Sequence, residues 1–477
     1  MTDLGEFDLV GLAAAIAARK ISSREATQAS LAALEAAQPR LNCVIRFDRE
    51  DALAAAAAAD RALAGGRSLG PLHGVPLAHK DMFYRRGKVA TCGSKIRRDF
   101  VADRTATALS RLDAAGALQL AALNMAEFAY GPSGHNAHFG HCRNPWSPDH
   151  ITGGSSSGSG AAVAARLVFG ALGSDTGGSI RLPASICGVT GLKTTYGRVS
   201  RAGAMPLSFS LDTVGPLAQS VRDCAAIYAA IAGPDPEDPT ALDLPVAAGA
   251  EAIEAGVKGM RIAVPTRYFL DGMSEETSRL FTAAAEVYRR IGAEVVEVAP
   301  PGCEEMSALA TIVLAAEAST IHGKWYRERK EDYSGQVRAR IELGFHHPAT
   351  RYLEALMLRA RHLDAFGKAV FEHADAMLAP VLPFAVPTIV ETDVGGGPQM
   401  GRTMSLLTRC SRPINYLGLP SLTVPAGFTS GALPFGVQVV GRPFAEETIL
   451  RVGRAYERET DWHKRRPPTG AGSGPTA

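Results

Sequence analysis

The sequence predicts an α/β protein, and three observations carry that expectation. From about residue 105 to 230, helical apolar patterns alternate with short apolar runs and Gly/Ser turns, the rhythm of β–α–β units. Toward the C-terminus the apolar runs DAMLAPVLPF, SLTVPAGF and PFGVQVVGR, bounded by Gly and Pro, read as strands returning to a sheet. Composition permits a sizeable core, since 46% of the 477 residues are apolar and 21% are charged.

The elements follow in order. A capping box from Ser22 to Glu25 starts a helix whose apolar spacing continues until Pro39 interrupts it, and a second helix is expected from about Asp51 to Ala64. After Gly65 and Gly66, the segment GPLHGVPLAHKD supplies a short apolar strand that ends at Lys80. Residues 232–252 are rich in Pro and acids and read as an exposed connection. RIAVP and EVVEVA then read as strands flanking a helix capped near Ser274, and residues 303–373 as mainly helical. The tail, residues 467–477, is Gly/Pro/Ser-rich and expected to be disordered.

Several function classes recede on composition. The formal charge is +2 with no basic stripe, so nothing offers the phosphate neutralisation that nucleic-acid binding needs. The first twenty residues lack the basic start of a signal peptide, and no uninterrupted apolar run approaches a membrane span. Seven cysteines, odd in number and without a CxxC pair, fit buried reduced thiols in a cytoplasmic protein better than a disulfide framework. His135, His138 and His141 recur every third residue, but the surrounding Gly and Asn-Pro indicate a loop, and no metal site is expected there.

The most informative stretch, Thr152 to Leu192, contains two Gly/Ser loops, TGGSSSGSG and GSDTGGSIR. Glycine allows close backbone approach, and adjacent N–H groups can converge on an anion, so either loop could hold a phosphate or an oxyanion. No lysine follows the glycines as a Walker loop requires, and GxGxxG is absent, which argues against nucleotide binding.

The run GGSSSGS, the serine of DTGGSIR and the upstream lysine of VPLAHKD, in that spacing, resemble the amidase signature family. The likeness extends through NPW (144–146), GLKTTYGRVS (191–200), LDTVGPLAQSVRD (211–223) and residues 415–451, leaving only about 235–400 weakly matched. The resemblance implies one amidase domain over residues 1–466, built on a large, mixed, mostly parallel sheet with helices on both faces. Its parts would be an outer helical segment (1–65), a catalytic core (66–230), a mainly helical pocket region (235–400) and a C-terminal return (401–466).

It also implies roles. Ser179 would be the nucleophile, Ser155, preceded by a cis peptide bond, the proton relay, and Lys80 the base. The N–H groups of Thr176, Gly177, Gly178 and Ser179 would form an oxyanion hole, and Ala129, Tyr130 and Gly131 would line the substrate channel. Chemistry agrees with this assignment. A serine hydroxyl attacks only once a base takes its proton, and a lysine serves as base only where burial leaves it neutral. A lysine at a strand end is ordinarily a solvated surface charge, so burial decides the matter. Asp175 and Arg181 are expected to form a charge-assisted pair bracing the loop, while Ser156, Ser157, Ser159 and Ser174 read as turn formers.

The expected reaction is hydrolysis of neutral amides, aryl amides among them, through an acyl-Ser179 intermediate. Esters and carbamates are the expected side substrates, no cofactor is expected, and a homodimer is one plausible assembly. The alternative is the glutamine-hydrolysing subunit of a tRNA-dependent amidotransferase. That branch needs charged ligands for an amino acid, and its aspartate and arginine align with Thr408 and, in a softer register, Asp364.

Overall fold

The computed structural model describes residues 4–246 and 250–468. Eleven strands make one sheet: β1 (Val44–Phe47), β2 (Pro76–Lys80), β3 (Leu118–Leu123), β4 (Gly170–Asp175), β5 (Thr190–Lys193), β6 (Thr213–Ala218), β7 (Arg261–Pro265), β8 (Glu294–Val298), β9 (Ala376–Pro380), β10 (Ser421–Phe428) and β11 (Pro434–Val440). Their spatial order is β1-β3-β2-β4-β6-β5-β10-β11-β9-β7-β8.

Helices cover both faces, as strand periodicity shows. Leu77 and Leu172 join one buried cluster with the 303–329 helix, whereas their neighbours Ala78 and Ala171 join another with the 23–41 and 157–164 helices. Strands buried on both sides cannot alternate apolar with polar residues, which is why β2, β3 and β9 read as plain apolar runs.

The sheet is mixed, as the sequence predicts, but "mostly parallel" does not describe it. Parallel pairing is confined to the two flanks, β3-β2-β4 and β9-β7-β8. The centre, from β4 through β6, β5, β10 and β11 to β9, pairs antiparallel. One cause is local: β10 and β11 are joined by the short loop 429–433, which allows only an antiparallel return.

Other expectations are corrected in detail. The helix Ser23–Leu41 passes through Pro39, which sits in its last turn and costs one donor without ending it. The chain turns at Asn42 instead, with φ 48°. The 232–246 connection is only partly exposed: Asp235 accepts from Ser200 and Asp238 from the N–H of Arg201, both carboxylates being buried. The predicted disorder of the tail falls mainly on residues 469–477, outside the described residues. The long helix Cys303–Arg329 is apolar enough to cross a membrane by length and composition, yet it packs inside this sheet protein and carries the buried Glu317 and His322. All seven cysteines are buried and free.

One buried ion pair joins four elements. Asp175, at the end of β4, and Arg181, opening the helix Arg181–Cys187, are both fully buried and meet at 3.1 Å. Asp175 Oδ1 accepts from Gly178 N–H at 2.8 Å and Asn415 Nδ2 at 2.7 Å, and Oδ2 accepts from Ile180 N–H at 3.1 Å. Arg181 donates onward to Gln438 Oε1 on β11 and to the Ser411 carbonyl. Burial opposes the carboxylate charge, but the charge and hydrogen bonds of Arg181, with Lys193 and Asn415, outweigh it and hold Asp175 ionised well below the usual carboxylate range.

Removing one partner of such a pair leaves an uncompensated buried charge. Asp175→Asn is therefore expected to lower the unfolding free energy by about 3–5 kcal/mol, read from urea titration. Stability within about 1 kcal/mol of the parent would show that the pair does not brace the fold.

Candidate active site

Lys80 lies at the carboxyl end of β2, and Ser174 near the carboxyl end of β4, its parallel neighbour. Open α/β sheets collect chemistry at such ends. Lys80 is fully buried, and its Nζ donates to Ser155 Oγ at 2.6 Å and Ser174 Oγ at 2.9 Å. Burial lowers the ammonium pKa to about 7, against the opposing pull of the Asp212 and Asp175 charges. An amine so placed gains and loses its proton near neutral pH instead of standing as a fixed cation. Ser174, which the sequence assigns to a turn, is thus a direct partner of this lysine.

The Gly154–Ser155 peptide is cis, and Ser155 is fully buried. The backbone ties the two serine loops together, because Ser156 N–H donates to the Ser179 carbonyl at 3.3 Å. Ser179 is 8% exposed while Lys80 and Ser155 are sealed, so of the three it is Ser179 that meets the surface. No side chain fits at Gly154, where a Cβ would lie 2.4 Å from the Gly131 carbonyl.

The four candidate oxyanion donors divide. Gly178 N–H is committed to Asp175 Oδ1, so the structure removes it from the expected set. Its φ of +124°, and the 2.4 Å that a Cβ would leave to Ser411 Oγ, explain why glycine stands there. Among the described residues the N–H groups of Gly177 and Ser179 donate to no protein acceptor, and a Cβ at Gly177 would meet open space. Asp175 thereby takes the N–H groups of residues 178, 180 and 181, while those at 177 and 179 keep no protein acceptor among the described residues. Thr176 turns its hydroxyl to Asp212 Oδ1 at 2.5 Å.

Ala129, Tyr130 and Gly131 form a strained turn beside Ser155. Phe128 and Ala129 have φ of 48° and 60°, and Ala126 N–H donates to the Ser155 carbonyl at 3.1 Å. Tyr130 is buried under Arg340, whose guanidinium lies 3.8 Å from the ring and donates to the Tyr130 carbonyl. Phe128 points away into a cluster with His322, Trp325 and Tyr333 and packs instead of lining a channel. A cavity of about 280 Å³ reaches Ser174 and Asp212 and is walled partly by Met82, Met205 and Phe209.

The three histidines of the 135–141 loop brace it. His138 pairs with buried Glu127 at 2.9 Å, His141 Nδ1 accepts from Asn136 N–H, and His135 meets Thr392. Asp364 is exposed and paired with Lys368. Thr408 does border the site: its carbonyl accepts from Ser411 Oγ, which also donates to the Gly177 carbonyl at 2.7 Å. Sequence reasoning missed Arg340 and Arg412, which carry no motif.

A family model described as amidase matches residues 25–450. The chain is 40% identical to a glutamyl-tRNA(Gln) amidotransferase subunit of Geobacter metallireducens, covering 93% of this chain and 95% of that one. It superposes with a TM-score of 0.88 and 36% identity, over 95% and 98% of the chains, on a protein from a vestigial complex that bears on the origins of an s-triazine catabolic enzyme. It also superposes, with a TM-score of 0.86, 26% identity and 97% and 99% coverage, on a bacterial aryl acylamidase of the amidase signature family. The chain belongs to the amidase signature family.

Proposed function

We propose that this amidase-family chain hydrolyses a carboxamide through an acyl-Ser179 intermediate. The observation that carries the proposal is the sealed contact of Lys80 Nζ with Ser155 Oγ at 2.6 Å behind a slightly exposed Ser179. Neutral Lys80 takes the Ser155 proton while Ser155 takes that of Ser179, whose Oγ bonds to the amide carbon. The N–H groups of Gly177 and Ser179 stabilise the developing oxyanion. The proton returns through Ser155 to the nitrogen as the C–N bond breaks, and water attacks the ester by the reverse relay. Esters and carbamates enter the same path as side substrates, because each presents an acyl carbon with a leaving group.

Two substrate readings compete. The relatives named as amidotransferase subunits, 40% identical over almost the whole chain, support glutamine hydrolysis with a partner protein. This reverses the order expected from sequence, where neutral aryl amides lead. Thr408 favours a free-standing enzyme, since no carboxylate stands there to hold an ammonium group. With the isolated chain, kcat/KM for glutamine is expected to exceed that for acetanilide by tenfold or more. The opposite order would restore the neutral-amide reading.

Ser179→Ala is expected to lower turnover by about 10³-fold or more without unfolding the protein. A folded variant keeping a tenth of the activity would remove Ser179 from the reaction.

The pH profile tests Lys80. Below its pKa of about 7 the protonated amine cannot accept a proton, so activity should rise with pH through that value. Asp212 stabilises the ammonium form, so Asp212→Asn should move the acid limb to lower pH. A limb that stays in place, with chemistry rate-limiting, would separate it from Lys80.

A further inference from the structure

Two arginines beside the site lack the anion that their surroundings demand. Arg412 is 5% exposed, and among the described residues its Nε has no hydrogen-bond partner. Its Nη1 donates only to a neutral hydroxyl, Thr311 Oγ1, at 2.8 Å. Arg340 lies over the Tyr130 ring and donates to the Tyr130 carbonyl. No Asp or Glu pairs with either guanidinium among the described residues, whereas the buried Arg181 and Arg198 each have a carboxylate. The Arg340 charge reaches Arg412; burial first, and then this repulsion, lowers the Arg412 pKa to about 10. A buried cation without a counter-charge is costly, and the charge of half-buried Arg340 adds to the cost at Arg412.

Both lie against the reacting loops. Arg412 follows Ser411, whose hydroxyl anchors the Gly177 carbonyl, and Arg340 clamps Tyr130, next to Gly131, whose carbonyl crowds Gly154.

We propose that Arg340 and Arg412, with Tyr130, form a carboxylate site, and that the substrate is an amide bearing a remote carboxylate. The inference rests on the amidase reading and narrows it. Guanidinium forks suit a carboxylate geometrically, and here the ligand supplies the missing counter-charge. The same two cations repel an ammonium group, and Thr408 offers it no acid, so the preferred substrate carries the carboxylate without an amino group.

The test compares ammonia release from glutaramate, L-glutamine and pentanamide, which share a primary amide. A second pair, 4-acetamidobenzoate against acetanilide, places the charge on the leaving side. The charged member is expected to win by at least tenfold in kcat/KM in one series, with glutaramate above glutamine. Arg412→Met and Arg340→Met should each collapse the ratio of charged to uncharged kcat/KM, mainly by raising KM for the charged member. Arg412→Lys should restore part of it. Equal rates for charged and uncharged members in both series, or an unchanged preference in both variants, would overturn the site.

Calorimetry with glutarate keeps the two readings separable. Binding to the parent and loss in Arg412→Met would support the arginine site even if no amide were hydrolysed, in which case the amidase reading alone would fall. Turnover without charge preference and without glutarate binding would leave the amidase reading and remove the arginine site.

Discussion

The Asp175–Arg181 pair is the constraint on which the site depends. The carboxylate ends β4, so its position is fixed by the centre of the sheet, and its two oxygens are filled by donors from a loop, a helix and Asn415. Each donor it captures is one that the substrate cannot have. By binding the N–H groups of residues 178, 180 and 181 it leaves those at 177 and 179 without a protein acceptor among the described residues. In the proposed reaction the oxyanion donors are therefore selected by an interaction that never touches a substrate. The cost of burying both charges is offset only because the pair is hydrogen-bonded on every side.

The lysine works in the reverse sense. Asp175 is kept charged by its partners, whereas Lys80 meets only the hydroxyls of Ser155 and Ser174, which cannot supply a counter-charge. Burial therefore dominates and carries its pKa to about 7. Two ionisable groups within one sheet are driven in opposite directions, one to hold geometry and one, in the proposed reaction, to move protons. The Asp212 and Asp175 charges moderate the second, holding the amine's pKa above where burial alone would carry it.

What was legible in the sequence was local. Lys80, Ser155 and Ser179 stand in short stretches whose glycines permit the required backbone, and a strand ending in lysine is visible from its apolar run. Asp175 and Arg181 were legible because they lie six residues apart around the same turn. Ser174 was not, because only the pairing of β2 with β4 turns a Gly/Ser-loop residue into a lysine ligand. The sheet's antiparallel centre was hidden for the same reason: apolar runs reveal strands, not their neighbours. Pro39 misled because its effect depends on distance from the helix end.

The substrate side was the least legible part, and the topology explains it. The catalytic residues come from β2, β4 and the loops beside them in the first half of the chain. Arg340, Thr408 and Arg412 come from helices and turns inserted between strands of the second half, where no fixed spacing links them to the serines. Such positions can change without disturbing the Asp175–Arg181 clamp or the lysine. A shared clamp and lysine therefore leave open which amide is cut, and relatives 40% identical can share the reaction while differing in what they grip. In the proposed site the grip is cationic, set by two guanidinium groups and by the absence of an acid at Thr408. The electrostatics of the pocket thus select by charge at a distance from the bond that is broken, and the serine loops need no alteration to do so.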